Sequence, residues 1–206
     1  HTKYTHEIQV TPIRNQCGYG GCWIYGTLAK LEQEIFEETG KITNLSEQYL
    51  IYKSLVFRSF DALETPFQLV QQGGWETSAE WMLEHVGILP AEAWTPLRPF
   101  EEHGVQQRLM TYLNSRISKF HVESAAESDP ARRALLKSQA QTEVKELIEA
   151  YTGTPPASFN WYGKDYTPLS WMKEHRPDGW NGVQVLYPPA PELPSELKAL
   201  IALSEK

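Results

Sequence analysis

A cysteine placed directly before an apolar helical repeat constrains this chain more than any other feature. After Cys22, four apolar residues recur at mutual spacings of four, three and four positions: Ile24, Leu28, Leu31 and Ile35. This period predicts an amphipathic helix with one buried face. The first turn of a helix carries unpaired N–H groups and a partial positive charge, which favour a reactive thiolate. Cys22 is therefore a candidate nucleophile.

The residues before Cys22 suit the chemistry of acyl groups. Gln16 lies six positions upstream, where its side-chain amide could donate to a developing oxyanion together with the backbone N–H of Cys22. Gly18, Gly20 and Gly21 permit a tight turn and the close approach of a substrate backbone. An isolated cysteine before a helix is more often a small buried hydrophobe. The functional interpretation therefore depends on these neighbours.

The composition excludes several classes of function. The chain has 206 residues, 41% of them hydrophobic, enough for one domain with a substantial core or two small ones. A net charge of −7 without a dense basic cluster argues against nucleic acid as a partner. No apolar run approaches the roughly 20 residues of a membrane span, and we expect no metal or cofactor. If Cys22 is the nucleophile, Cys17 has no partner left in this chain and is either a free thiol or bonded to another chain; we expect the free thiol. An oligomer is possible.

The rest of the sequence predicts a mostly helical chain. The first helix is expected to end near Gly40, and the second to begin with Ser46 as its N-cap. Asp129 and Pro130 begin a helix over about 130–151. Further elements are predicted over about 76–86, 104–123 and 168–175, with a strand signal at Val183–Leu186 and a last helix from Pro194 to Lys206.

Three ordered motifs resemble the first part of papain-like cysteine peptidases. They are Gln16 followed by five residues and Cys22-Trp23, then Leu45-Ser46-Glu47-Gln48, then Gly73-Gly74-Trp75. The resemblance implies an α+β papain-like fold, with Cys22 as nucleophile and Gln16 in the oxyanion hole. Gly73 and Gly74 would pair with an extended substrate peptide. Trp75 would line a substrate pocket, with a plain packing role as the equal alternative.

Two positions set this chain apart within that family. Many papain-like enzymes carry a disulfide between the positions occupied here by Tyr19 and Gln71. The bleomycin hydrolase branch, which includes aminopeptidase C, lacks that bridge too. Segments 73–90, 152–161 and 166–175 are also similar to that branch.

The same resemblance implies a division of the chain into three parts. Residues 1–103 would form the helical domain with the nucleophile. Residues 104–192 would be a helical insertion followed by an irregular segment. Residues 193–206 would be a helix at the junction to the β-rich half of the fold, which we expect on a second chain.

The histidine and asparagine of a papain-like site are not expected in this chain. That histidine usually lies about 130–150 residues after the cysteine, and no histidine occupies 152–172. His175 is nearest but stands at a predicted helix end, and the others lack a strand context: His1, His6, His85, His103 and His121. We therefore expect a second chain of the same precursor, cut near residue 206, to supply His and Asn.

The short lead before Cys22 resembles mature papain-like enzymes after propeptide removal. It implies a zymogen matured by autoprocessing, in a secreted, periplasmic or lysosome-like compartment. A cytoplasmic enzyme is the alternative.

Three functions are compatible with these residues. The first is a cysteine peptidase that hydrolyses peptide bonds through a thioester at Cys22. The missing histidine allows a non-catalytic interaction module on the same scaffold. Acyl transfer to an amine or thiol is the third. Exopeptidase and endopeptidase activity are both open.

Overall fold

The computed structural model describes residues 11–100, 104–178 and 180. This part of the chain is mostly helical, as the sequence predicted. Its elements are α1 (Cys22–Thr39), α2 (Glu47–Glu64), α3 (Glu76–His85), a 3₁₀ turn (Ala91–Ala93), α4 (Val105–Ala126), α5 (Pro130–Thr152), β1 (Phe159–Trp161), β2 (Lys164–Tyr166) and α6 (Pro168–His175). The predicted strand at Val183–Leu186 and the predicted last helix lie outside the described residues.

The helix boundaries follow from side-chain caps and one left-handed glycine. The amide of Tyr49 donates to the Ser46 side chain at 3.2 Å at the start of α2. Asp129 caps α5 in the same way. Gly40 ends α1 with a φ of 68°, a conformation that favours glycine. These three predicted boundaries are confirmed, whereas α4 runs past its predicted end near residue 123 to Ala126.

The core forms around α1, which packs against α2 and α3. All four residues of its predicted apolar stripe are at most 3% exposed: Ile24, Leu28, Leu31 and Ile35. Burial of such a side chain stabilises a fold by about 1.5–3 kcal/mol. The stripe therefore holds α1, and with it Cys22, in one orientation.

Two long helices extend this core on the far side of α2. α4 and α5 are joined by three residues, pack against each other and both contact α2. Their facing side chains are buried: Leu109, Leu113, Ile117 and Phe120 on α4, and Ala140, Val144 and Ile148 on α5. The helices of the segment predicted to be an insertion thus form a helical hairpin on α2, and its being an insertion stays a prediction. The boundaries proposed at residues 103 and 192 stay predictions.

A β-hairpin replaces part of the segment that was expected to be irregular. β1 and β2 pair antiparallel, with Phe159 opposite Tyr166. The two connecting residues, Tyr162 and Gly163, both have positive φ, at 48° and 84°. Two-residue turns with positive φ suit the twist of a hairpin. The prediction for this short stretch was wrong.

A buried carboxylate fixes the segment that leads to Cys22. The side chain of Glu32 on α1 is 0% exposed. Its carboxylate accepts from the Arg14 guanidinium at 2.6 Å, the Leu45 amide at 2.7 Å and the Thr11 hydroxyl at 2.5 Å. Arg14 also reaches Glu47 at 2.8 Å. Three separate stretches of chain therefore meet at one ion pair.

We predict that Glu32→Gln destabilises the protein. The substitution removes the charge of a fully buried carboxylate and weakens its three hydrogen bonds, while Arg14, which is 27% exposed, keeps Glu47 as a partner. We expect a cost of about 1–3 kcal/mol. Urea unfolding of the variant measures the change in the free energy of unfolding. Glu34→Gln is the matched control, because its pair with Lys30 at 4.0 Å is on the surface and contributes about 0–1 kcal/mol. Equal effects of the two substitutions would contradict the prediction.

Candidate active site

Cys22 is the first residue of α1, and its side chain is exposed. Gly21 is the N-cap, and its carbonyl accepts from the amides of Ile24 at 2.8 Å and Tyr25 at 3.1 Å. Among the described residues, none accepts a hydrogen bond from the amide of Cys22. The alternative of a small buried hydrophobe is therefore wrong. Cys17 is also exposed and unpaired.

Two tight turns connect Gln16 to Cys22. The amide of Tyr19 donates to the Gln16 carbonyl at 3.1 Å, and the amide of Gly21 donates to the Tyr19 carbonyl at 2.8 Å. Cys17 has a φ of 50°, and its amide donates to the Asn15 side chain. The half-buried side chain of Gln16 makes no hydrogen bond within the described chain. Its amide is available to a ligand.

Tyr19 anchors the middle of this loop in the core. It is 2% exposed and packs against Phe100 with ring centroids 5.7 Å apart. Burial raises the pKa of Tyr19, and the positive charge of Arg58 opposes part of that rise. A packed aromatic side chain thus stands where many relatives are expected to have a disulfide cysteine.

Gln72 joins the loop of residues 16–22 (the Cys22 loop) to the stretch of residues 71–74 (the glycine segment). Its side-chain oxygen accepts from the amide of Gly20 at 2.9 Å. Its backbone carbonyl accepts from Nε1 of Trp23 at 3.1 Å. The structure thereby brings Gly73 and Gly74 next to the loop that carries Cys22.

Arg58 holds the same segment from α2. Its Nη1 donates to the carbonyl of Gln71 at 2.8 Å and to that of Gly73 at 2.5 Å. The guanidinium carbon lies 5.2 Å from the centre of the Trp23 ring. The sequence analysis missed Arg58, because its partners are backbone carbonyls and leave no signal in residue type.

Trp75 follows the glycine segment and is 80% exposed. It is the N-cap residue of α3. A packing role within the described chain therefore does not account for it.

Next to the glycine segment is a cleft of about 380 Å³. Its lining includes apolar and hydroxyl side chains: Trp23, Ser54, Phe57, Arg58, Thr77, Ser78, Trp81 and Met82.

A larger cleft of about 660 Å³ lies between α2 and α5. Tyr52, Phe60 and Pro156 contribute apolar surface, and Lys145 and Glu149 contribute charge. It contains none of the residues predicted for catalysis or substrate binding. We therefore place the candidate active site at Cys22 and not in the larger cleft.

The three described histidines are all half-buried, and each is hydrogen-bonded to a backbone carbonyl. His85 and His175 each lie within 2.9 Å of a carbonyl one turn earlier in their helix, that of Trp81 or Trp171. His121 lies 2.8 Å from the Ala62 carbonyl. Among the described residues, no histidine is hydrogen-bonded to Cys22. That the base of Cys22 is not among these histidines stays a prediction.

The described residues contain neither a membrane-spanning helix nor a metal site. No helix there has the length and apolar character to cross a membrane. No group of three or more His, Cys, Asp or Glu side chains in that part of the chain is arranged to hold a metal ion.

Comparison with known families places the chain. Residues 2–152 match the family described as papain family cysteine protease. The chain therefore belongs to the papain family of cysteine proteases, and the papain-like fold is confirmed.

Individual relatives cover only parts of the sequence. The chain is 32% identical to cathepsin 7 of Rattus norvegicus over 117 residues, which are 50% of this chain and 35% of the relative. It is 35% identical to cathepsin K of Mus musculus over 75 residues, 34% of this chain and 22% of the relative. The solved structure of PepW from Lactobacillus rhamnosis has a TM-score of 0.67 and 18% identity, and the match covers 88% of this chain and 47% of PepW. The chain thus spans between about a fifth and about half of these relatives.

We predict that substitution by alanine destabilises the protein at Gly74 but not at Gly73. A Cβ on Gly74 would lie 2.6 Å from the ring of Trp23 and 2.8 Å from Arg58. Because Trp23 is 4% exposed, it has little room to move, and Gly74→Ala should cost about 1–3 kcal/mol.

Gly73→Ala is the matched control for that substitution. Nothing lies within 4 Å of a Cβ at Gly73, so its effect should stay within about 0.5 kcal/mol. Urea unfolding of both variants measures the difference. Equal stability of the two would show that the packing of Trp23 and Arg58 against Gly74 is wrong.

Proposed function

We propose that this chain supplies the nucleophile and the substrate-binding glycines of a cysteine peptidase. The observation that carries the proposal is the exposed Cys22 at the first position of α1, next to a Gly73–Gly74 segment held against its loop. Membership of the papain family supports it. Gln16 and the amide of Cys22, both without partners among the described residues, provide donors for an oxyanion.

The proposed reaction has two covalent steps at Cys22. The thiolate sulfur attacks the carbonyl carbon of the peptide, and the negative charge develops on the oxygen that faces Gln16. The C–N bond then breaks, and the amine leaves with a proton from the general acid. Water adds to the thioester, the acid product is released and the thiol is restored. Losing one oxyanion donor typically costs about 2.7–4 kcal/mol of transition-state stabilisation.

The general base is proposed to come from outside residues 1–206. The described histidines are bound to backbone carbonyls away from Cys22. The chain also spans only 35% of cathepsin 7 and 47% of PepW. We propose that a second chain of the same precursor brings His and Asn to Cys22, and that the mature enzyme belongs to the bleomycin hydrolase branch. Tyr19 and Gln71, at the positions of the absent disulfide, support that branch.

Acyl transfer and a non-catalytic role are the other candidates. A thioester at Cys22 captured by an amine instead of water would make the protein an acyltransferase, and product analysis with added amines separates the two. A non-catalytic module has no physical need for an exposed thiol at a helix N-terminus. That geometry therefore favours catalysis.

We predict that a peptidyl epoxide labels Cys22 in the native protein and not Cys17. Both thiols are exposed, but only Cys22 lies at the helix N-terminus with oxyanion donors. Peptide mapping by mass spectrometry locates the adduct. Cys22→Ala should abolish labelling and hydrolysis, whereas Cys17→Ala should retain both. Equal labelling of the two cysteines, or full activity of Cys22→Ala, would contradict the proposal.

We also predict that the native enzyme contains two polypeptides. Intact-mass analysis under denaturing conditions should show this chain together with a second one whose sequence contains the catalytic His and Asn. Such processing would suit a secreted, periplasmic or lysosome-like enzyme. One longer polypeptide that includes residues 1–206 and hydrolyses peptides would show that the two-chain proposal is wrong while leaving the peptidase proposal intact.

A further inference from the structure

The glycine segment is held in place without a covalent link or regular structure. Residues 71–74 lie between α2 and α3 and belong to neither a helix nor a strand. No disulfide connects them to the Cys22 loop, because both cysteines are unpaired. A segment that binds an extended peptide must nevertheless keep a fixed distance from the Cys22 loop, because a mobile segment would have to be ordered when the peptide binds and would bind it less tightly.

Arg58 and Gln72 make the contacts that fix this distance. Arg58 donates to the carbonyls on both sides of Gln72, those of Gln71 and Gly73. Gln72 then bonds to Gly20 through its side chain and to Trp23 through its backbone. The guanidinium also stacks over Trp23, the residue that follows Cys22.

The same contacts leave the backbone groups of Gly74 available to a substrate peptide. Arg58 uses the carbonyl of Gly73, whereas the backbone N–H and C=O of Gly74 take part in no hydrogen bond among the described residues. Because Gly74 has no side chain, Trp23 and Arg58 can pack directly against its backbone. One backbone donor and one acceptor therefore remain for an extended peptide, which binds to such an edge through its main chain.

We propose that Arg58 and Gln72 are positioning residues that hold the Gly73–Gly74 segment against the Cys22 loop and so set the affinity for peptide substrate. Neither residue touches the reacting atoms. The proposal rests on the proposed peptidase function, because it assigns these residues to the substrate-binding part of that site.

The test separates binding from chemistry in the native enzyme. A peptidyl epoxide gives a concentration for half-maximal inactivation, KI, and a limiting rate, kinact. Iodoacetamide, which needs no peptide-binding segment, reports the reactivity of Cys22 alone. Arg58→Met keeps an unbranched apolar stem but removes the guanidinium and with it every donor. We expect it to raise KI by about tenfold or more, the loss typical of a hydrogen bond to a charged group, with kinact and alkylation by iodoacetamide within about twofold.

Two variants serve as its controls. Arg58→Lys keeps a positive donor and should restore part of the affinity. Arg132→Met removes an exposed arginine whose ion pair within the described chain is with Asp129 and should leave KI unchanged. An unchanged KI in a folded Arg58→Met variant overturns the proposal.

Gln72 provides a second route if Arg58→Met does not fold. Gln72→Leu removes the acceptor for the Gly20 amide and should raise KI by several-fold, whereas Gln72→Glu keeps an acceptor oxygen and should not. Equal KI values for these two variants overturn the proposal as well. If the wild-type enzyme takes up no peptidyl epoxide at Cys22, the peptidase function itself fails. If it does so and the variants match it, only the positioning role fails.

Discussion

The ion pair between Arg14 and the buried carboxylate of Glu32 is the contact on which the geometry of the site depends. Glu32 belongs to α1, while Thr11, Arg14 and the Leu45 amide come from two other stretches. The loop from Gln16 to Gly21 is therefore fixed at its entrance by this pair and at its exit by α1. A buried ion pair adds little net stability compared with an apolar contact. Its value here is that it can form in only one arrangement of the three segments.

Between those two fixed points, aromatic and polar contacts take the place of a covalent bridge. A disulfide across the more than fifty residues from position 19 to position 71 would stabilise the fold by about 4 kcal/mol, through the unfolded state. Hydrogen bonds such as those of Gln72 contribute only about 1 kcal/mol each. They can reproduce the positioning of the bridge but not its effect on chain entropy. The added stability must come from burial, to which Tyr19 and the α4–α5 hairpin both contribute. This arrangement does not depend on an oxidising compartment.

The sequence predicted the features that depend on neighbouring residues, such as helix faces and caps. It missed the contacts that depend on distant backbone groups. The apolar period fixed α1 and the face it buries, and the caps at Ser46 and Asp129 follow short-range rules. The β-hairpin was missed because its turn places Tyr162 at positive φ, which a bulky residue rarely adopts. Glu32 could have been noticed, because it lies four residues after Leu28 and hence on the buried face, where a carboxylate needs a cation. Arg58 could not, since nothing in a sequence marks which carbonyls a guanidinium will reach.

The exposed surface around Cys22 bears on the proposal that a second chain completes the enzyme. Large apolar side chains are exposed on the segments that flank the site, with Ile13 at 100%, Phe67 at 99% and Trp75 at 80%. Single exposed apolar residues are ordinary, but these lie on the stretches that also carry Gln16 and the glycine pair. In the proposed two-chain enzyme, these residues and Cys22 would face the second part of the fold, with the substrate cleft between the two parts. The loop that carries Cys22 is held by Glu32, Tyr19 and Gln72. The proposed second part would then need only to bring its base to Cys22.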